Sequence, residues 1–168
     1  YKLEMLMNQA DITVHDRPVV DAALTESERT GGPAAALELP DGSIVTGKTS
    51  DLLGACSALL LNALKELAGI GHEIKIISPQ AIEPIQSLKT KYLGSRNPRL
   101  HTDEVLIALS VSAATSEDAK LAMEQLPKLK GCQAHTSVIL SRVDIRTFKT
   151  LGVELTSEPI YEHQKLYH

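Results

Sequence analysis

Residues 34–70 read AAALELPDGSIVTGKTSDLLGACSALLLNALKELAGI, and the reading of this stretch decides the fold. Two apolar runs, Ala34–Leu39 and Ile44–Thr46, flank Asp41-Gly42. An Asp-Gly pair between such runs predicts a tight β-hairpin. Gly47-Lys48-Thr49-Ser50 follows as a short polar joint. From Leu52 to Leu64 the chain carries no charge. A helix without a wet face belongs in the middle of a domain, covered on more than one side. The spacing predicts that helix over Ser50–Ala68, with Thr49 or Ser50 as cap and Asp51 at the positive end of its dipole. Lys65 falls in the last turn, Gly69 takes the C′ position, and Ile70 folds back apolar side in.

Upstream, Tyr1–Gln9 places Leu3, Leu6 and Met7 at helical spacing, in the manner of a helix continued from elsewhere. The chain opens without Met, which suggests a piece of a longer protein. Asp16-Arg17-Pro18 starts a second helix, Asp16 as N-cap and Pro18 in its first turn, and Gly31-Gly32-Pro33 ends it. Residues 1–33 thus read as a helical lead-in from a missing upstream region, and residues 34–168 as an α/β domain.

Downstream, Glu73–Ile77 alternates as a strand, and a helix follows from Gln80 to Tyr92. Gly94–Arg99 is loop. Thr102-Asp103-Glu104 opens a helix, and Ser116-Glu117-Asp118 opens another that stops near Pro127. His135–Leu140 reads as a strand. Ser141-Arg142-Val143-Asp144 has capping-box form, Asp standing in for Glu, and its helix ends at Gly152. Val153–Thr156 is the last strand. Strand, helix and strand in that space imply a parallel crossover. The whole is a three-layer α/β/α domain with a mixed sheet.

Composition narrows the function without naming it. The chain has 168 residues, 43% of them hydrophobic, with one Phe, four Tyr and no Trp, so aliphatic side chains fill the core. A net charge of −4 argues against general binding to nucleic acid or anionic membranes. No apolar run approaches the roughly 20 residues of a membrane span, and no signal-peptide pattern is present. Two Cys, 56 and 132, build no disulfide framework, which suits a reducing cytoplasm.

The order of hairpin, buried helix, then alternating strands and helices resembles the cytidine-deaminase-like architecture. Zinc deaminases need H-x-E or C-x-E at the first helix and P-C-x-x-C at the next. Here those places read Thr49-Ser50-Asp51-Leu52 and Ser78-Pro79-Gln80-Ala81, so the topology is expected without the zinc site or the deamination. Three longer segments carry a more specific likeness: DGSIVTGKTSDLLGACSALLLNALKELAGI, YLGSRNPRLHTDEVLIALSVSAAT and AMEQLPKLKGCQAHTSVILS. They resemble the C-terminal part of an uncharacterised bacterial family, domain of unknown function 1846, also called uncharacterised protein family 371. The resemblance implies a bacterial cytoplasmic protein with a larger N-terminal part, and it supplies no reaction and no cofactor.

Several residues invite chemistry. Gly42–Thr49 spells G-x-x-x-x-G-K-T, the phosphate-wrapping P-loop pattern. Asp41-Gly42 suits a turn and β-branched Ile44 and Val45 suit a strand, so the hairpin is the better reading and nucleotide binding the lesser one. Gly47, Lys48, Thr49 and Ser50 at a helix start still suit an anion, against the plain alternative of a capped helix with a solvated lysine. Lys89, Lys91, Arg96 and Arg99 form a positive segment that reads mainly as a solvated helix end and loop. Arg99, His101, Thr102 and Asp103 crowd onto another helix start, and His101 and Asp103 are the acid–base candidates. Cys132-Gln133-Ala134-His135 has the spacing of half a zinc site with no second half, so no metal is expected. Cys56 reads as a small core residue. Two functions compete. One is part of a site for a phosphorylated or anionic small molecule, built where Gly47–Ser50 approaches Arg99–Asp103. The other is a structural or assembly domain that packs on the upstream region or on copies of itself as a homo-oligomer.

Overall fold

The hairpin forms where the sequence places it. In the computed structural model, which describes residues 17–160, β1 (Ala34–Glu38) and β2 (Ile44–Lys48) pair antiparallel, Ala34 opposite Lys48 and Glu38 opposite Ile44. Gly42 turns the chain with φ 88°, and its N–H donates to Leu39 O at 2.9 Å. Asp41 Oδ1 accepts from both the N–H and the hydroxyl of Ser43, which locks the turn. The P-loop reading therefore falls: Gly42 belongs to the turn and Ile44–Lys48 to a ladder, leaving no loop to wrap a phosphate.

β1 lies inside the sheet, whose order is β2-β1-β3-β4. β3 (Gln133–Thr136) runs antiparallel to β1, and β4 (Glu154–Ser157) runs parallel to β3. Both faces of β1 are covered, which explains its unbroken apolar run. Ala36 meets Val19 and Ala23 of α1 (Pro18–Thr30), while Ala35 and Leu37 join the main core on the opposite side. The fold is thus α/β, with a four-stranded mixed sheet and six α-helices among the described residues. The helix assigned to a lead-in packs on β1, β2 and β3. Its cap is Arg17, whose guanidinium reaches across to Gln133 Oε1, Thr156 Oγ1 and Ala134 O. Asp16 and the expected helix over Tyr1–Gln9 lie outside the described residues.

The central helix, α2 (Ala55–Ala68), is as buried as its charge-free run requires: Leu59, Leu60, Ala63 and Leu64 are fully enclosed. It ends as expected, Gly69 left-handed and Ile70 N–H returning to Lys65 O. It starts five residues later than Ser50. Ser50 Oγ accepts from the N–H groups of Leu52 and Leu53, and Ser50 N–H donates to Leu53 O. This side-chain turn competes with the helix and wins, leaving Gly54 as N-cap.

Three strand expectations need correction. Glu73–Ile77 is not a strand; Glu73, Ile74 and Lys75 are exposed, and the segment pairs with no strand among the described residues. Alternation alone cannot make a strand without a ladder to join. β3 begins and ends earlier than His135–Leu140, because Ser137 Oγ accepts from Ala34 N–H and Thr136 turns its hydroxyl onto Val138 O. β4 sits one residue later than Val153–Thr156.

The remaining helices are α3 (Pro79–Ser87), continued by a π-helical turn over Leu88–Tyr92, α4 (Thr102–Ala113), α5 (Glu117–Met123) and α6 (Arg142–Leu151).

Candidate functional site

Three helices aim their N-termini at one small cleft. Its wall combines Gly54, Ala55 and Cys56 of α2, His101 at the cap of α4, and Ser141 and Asp144 at the start of α6. Val138–Leu140, leaving β3, closes one side, and Pro33, Thr49, Asn97 and Arg99 close the other. The cleft lies beyond the carboxyl end of β3, next to its parallel neighbour, where α/β sheets collect their ligands. It encloses about 60 Å³, too little for a nucleotide. Larger grooves exist elsewhere, notably about 310 Å³ between α6 and β4, but Lys149 is the one charged residue lining that groove.

The joint before α2 and the loop before α4 are stitched together along the cleft. Leu53 and Leu100 form a parallel bridge, Leu100 N–H donating to Leu52 O. Arg99 Nε donates to Ser50 O at 2.6 Å, and Ser57 Oγ to Leu100 O at 2.8 Å. Lys89 supports this loop from beneath. It is buried, its ammonium held by Arg99 O and by Glu104 Oε1 at 2.8 Å. The π-helical turn sets Lys89 inward, so this residue of the positive segment is a strut and not a solvated charge.

His101 and Asp144 meet at the cleft. Their Nδ1 and Oδ2 atoms are 3.8 Å apart, a loose ion pair rather than a tight hydrogen bond. Asp144 Oδ1 accepts from both Thr102 N–H (3.0 Å) and Thr102 Oγ1 (2.8 Å). Burial alone would push the Asp144 carboxyl up; the contacts from His101 and Thr102 outweigh it and hold it below the usual carboxylate range. Asp144 in turn raises the His101 imidazole above its ordinary value, against burial and the charge of Lys89.

The three helix ends differ in what they can still offer. At α4, His101 N–H is taken by Glu104 Oε1, Thr102 N–H by Asp144 and Glu104 N–H by Asp103. At α6, Asp144 N–H is capped by Ser141 Oγ. Among the described residues α2 has no side-chain cap and no acid in its first turn, so its positive end is turned toward the cleft. The hydroxyl of Thr49, a residue of the same wall, is buried with no hydrogen-bond partner among the described residues.

Of the residues singled out in the sequence, Thr49, Arg99 and His101 share this cleft. Ser50 joins through its carbonyl, its hydroxyl being spent on its own turn. Thr102 is fully buried with both donors on Asp144, and Asp103 is exposed and caps α4. Lys48 stands elsewhere. Gly47 points its α-hydrogen into α2, so the next residue along the strand projects to the α1 face, where the Glu26 carboxyl is lowered chiefly by its hydrogen bond from Arg29 and only secondarily by the charge of Lys48. Cys132 belongs to the main core, whereas His135 bridges Thr156 Oγ1 and Glu158 Oε2. Asp144 is the acidic cleft residue that the sequence reading passed over, being visible there only as a helix cap, while Cys56 is the small core residue that reading expected.

Comparison with known proteins gives a consistent family and no reaction. The profile described as "Domain of unknown function DUF1846, C-terminal" matches residues 15–167. A UPF0371 protein of Corynebacterium glutamicum is 58% identical over 166 residues, covering 99% of this chain and 34% of that protein. A UPF0371 protein of Streptococcus pyogenes serotype M5 is 51% identical over 166 residues, again covering 99% and 34%. The chain therefore spans about a third of the length of the curated relatives it matches.

Proposed function

Since the chain belongs to the family of the DUF1846 C-terminal domain, we propose that it supplies one wall of a site for a phosphorylated or otherwise anionic small molecule. The observation that carries this reading is, among the described residues, the uncapped α2 N-terminus turned toward a wall that holds Arg99, His101 and Thr49. The cleft is small, so it takes the anionic head, and the rest of the ligand meets the larger upstream part of a full-length protein. The strand order, with β1 antiparallel to both neighbours, supports a cytidine-deaminase-like arrangement in which Thr49–Leu52 and Ser78–Ala81 replace the metal ligands. Among the described residues no helix is long and apolar enough to cross a membrane. A cytoplasmic home fits two buried cysteines that form no disulfide.

The test is thermal stabilisation of the intact protein by inorganic phosphate. Arg99→Ala should weaken that effect about tenfold or more, as loss of a charged hydrogen bond does. Lys48→Ala should leave it unchanged. No stabilisation, or equal loss from both variants, would sink the reading.

A second reading, assembly, draws on α4. Ile107 and Val111 stand 63% and 70% exposed on one face of a helix whose other face is core. We assign that face to contact with the upstream region or a second copy. Double substitution to Glu that left the intact protein's association state and melting temperature unchanged would remove it.

A further inference from the structure

We propose that the free edge of β4 receives an extended segment of the polypeptide upstream of Arg17, added as a fifth strand of the sheet. β4 ends the strand order, and among the described residues no strand pairs with its outer side. Glu154 N–H donates to Cys132 O and Glu158 N–H to Thr136 O, so these positions, with Thr156 between them, turn their backbone groups toward β3. By the two-residue period of a strand, Leu155 and Ser157 turn their N–H and C=O groups outward. A row of such groups is a template for one more strand.

The side chains at this edge describe what would fit it. On the α6 face, Leu155 borders the groove of about 310 Å³ together with Ile139, Leu140, Ile145 and Val153. Ile145 stands 47% exposed on α6 at this groove. On the α1 face, Thr156 takes the Arg17 guanidinium, and Glu154 and Glu158, two residues to either side, share that face. In strand addition the backbone bonds supply affinity, and pockets for alternate side chains supply selectivity. The fitting segment therefore alternates apolar residues toward α6 with basic residues toward α1. A second copy paired through the same edge would bring its own Glu154 and Glu158 to the α1 face, adding like charges to like.

The source of the segment follows from where the chain enters. Arg17 is held by Gln133 Oε1, Thr156 Oγ1 and Ala134 O, so the polypeptide arrives over β3 and β4 themselves. The matched family domain is the C-terminal one, and about two thirds of each relative lies outside the matched part. Elements consecutive in sequence are commonly neighbours in space, and β4 offers the nearest open edge to Arg17.

The experiment is residue-resolved hydrogen exchange on the intact protein, joined to amine cross-linking from Lys149, which is exposed and lines the groove. The Leu155 and Ser157 amides should exchange at least about a hundredfold more slowly than open backbone. Mixing isotope-labelled with unlabelled protein separates links within one chain from links between copies. Lys149 should join lysines upstream of Arg17 in its own chain. Ser157→Pro removes one outward N–H and keeps the bonds to β3, as proline on a free edge does, and should speed exchange at Leu155 about tenfold or more. Ile145→Glu should act in the same direction, and it carries the test if the proline variant does not fold. Fast exchange at both amides in the unmodified protein would leave β4 a short edge open to water and overturns the proposal. Slow exchange with Lys149 linked only between copies, or only within residues 17–160, seats a different occupant and overturns it equally. So does slow exchange that survives both variants.

Discussion

Gly47 lies one residue from Lys48 in the GKT run, yet its hydrogen is a packing requirement. An added Cβ would fall 2.3 Å from Leu59 N, 2.6 Å from Leu59 Cα and 2.7 Å from Ala55 O, all backbone atoms of α2. Relief therefore requires the helix to move. Gly47→Ala should destabilise by about 3 kcal/mol, the upper part of the usual overpacking range, read as a shift in denaturant midpoint. A change below about 0.5 kcal/mol would show that α2 yields freely. His101 and Asp144 give a second residue-scale outcome, in pH. The lowered Asp144 contributes stability above the ordinary carboxylate range, lost as pH falls through its folded value. The raised His101 contributes stability below its ordinary value, lost as pH rises through its folded value. The stability difference between the unmodified protein and Asp144→Asn should therefore peak between the two and shrink on both sides. Urea unfolding across that range checks it, and a difference that grows monotonically with pH would contradict the pairing.

Elements show what the sequence could and could not disclose. The C-terminus of α2 was legible because Gly69 and Lys65 act within one turn. Its start was not, because the Ser50 hydroxyl chooses its own backbone over a helix, and the bridge from Leu53 to Leu100 draws on residues nearly fifty positions away. Glu73–Ile77 alternates like a strand, but only the assembled sheet reveals that it has no partner there. The cleft was half legible. Arg99, His101 and Thr49 could be named from helix-start chemistry, whereas Asp144 arrives from α6 and Lys89 turns inward only through a π-helical turn. Two predictions belong at this scale. Leu60→Ala, fully buried in α2, should cost about 2–5 kcal/mol in chemical denaturation. Lys89→Met removes the strut beneath the Arg99 loop and should cost about 2 kcal/mol, within the range for hydrogen bonds to charged groups. It should also weaken anion binding although Lys89 does not line the cleft. A variant as stable as the parent would mean that the Arg99–Glu104 segment holds itself.

At the scale of the whole molecule, α4 exposes an apolar face at Ile107 and Val111, and the end of the π-helical turn exposes Tyr92 and Leu93 to a similar degree. The relatives are about three times as long as this chain, and the proposal is that the α4 face meets the remainder of such a protein. Ile107→Glu with Val111→Glu should change the stability of the isolated domain by less than about 0.5 kcal/mol per site. The same pair should lower the melting temperature of the intact protein and raise hydrogen exchange along α4. Equal behaviour of the two forms would assign this face to solvent.

The place of β1 inside the sheet also governs when the protein can fold. Ala34 N–H waits for Ser137 Oγ, 103 residues further along the chain, and Arg17 waits for Gln133 and Thr156. On a ribosome the hairpin and α2 emerge early, but one edge of an Ala-Ala-Ala-Leu strand stays bare until β3 has been synthesised. A nascent chain halted before that point carries an open apolar edge, the form most prone to pair with a neighbour. Shortening from the C-terminal end should thus turn soluble translation product into aggregate abruptly, at the loss of β3.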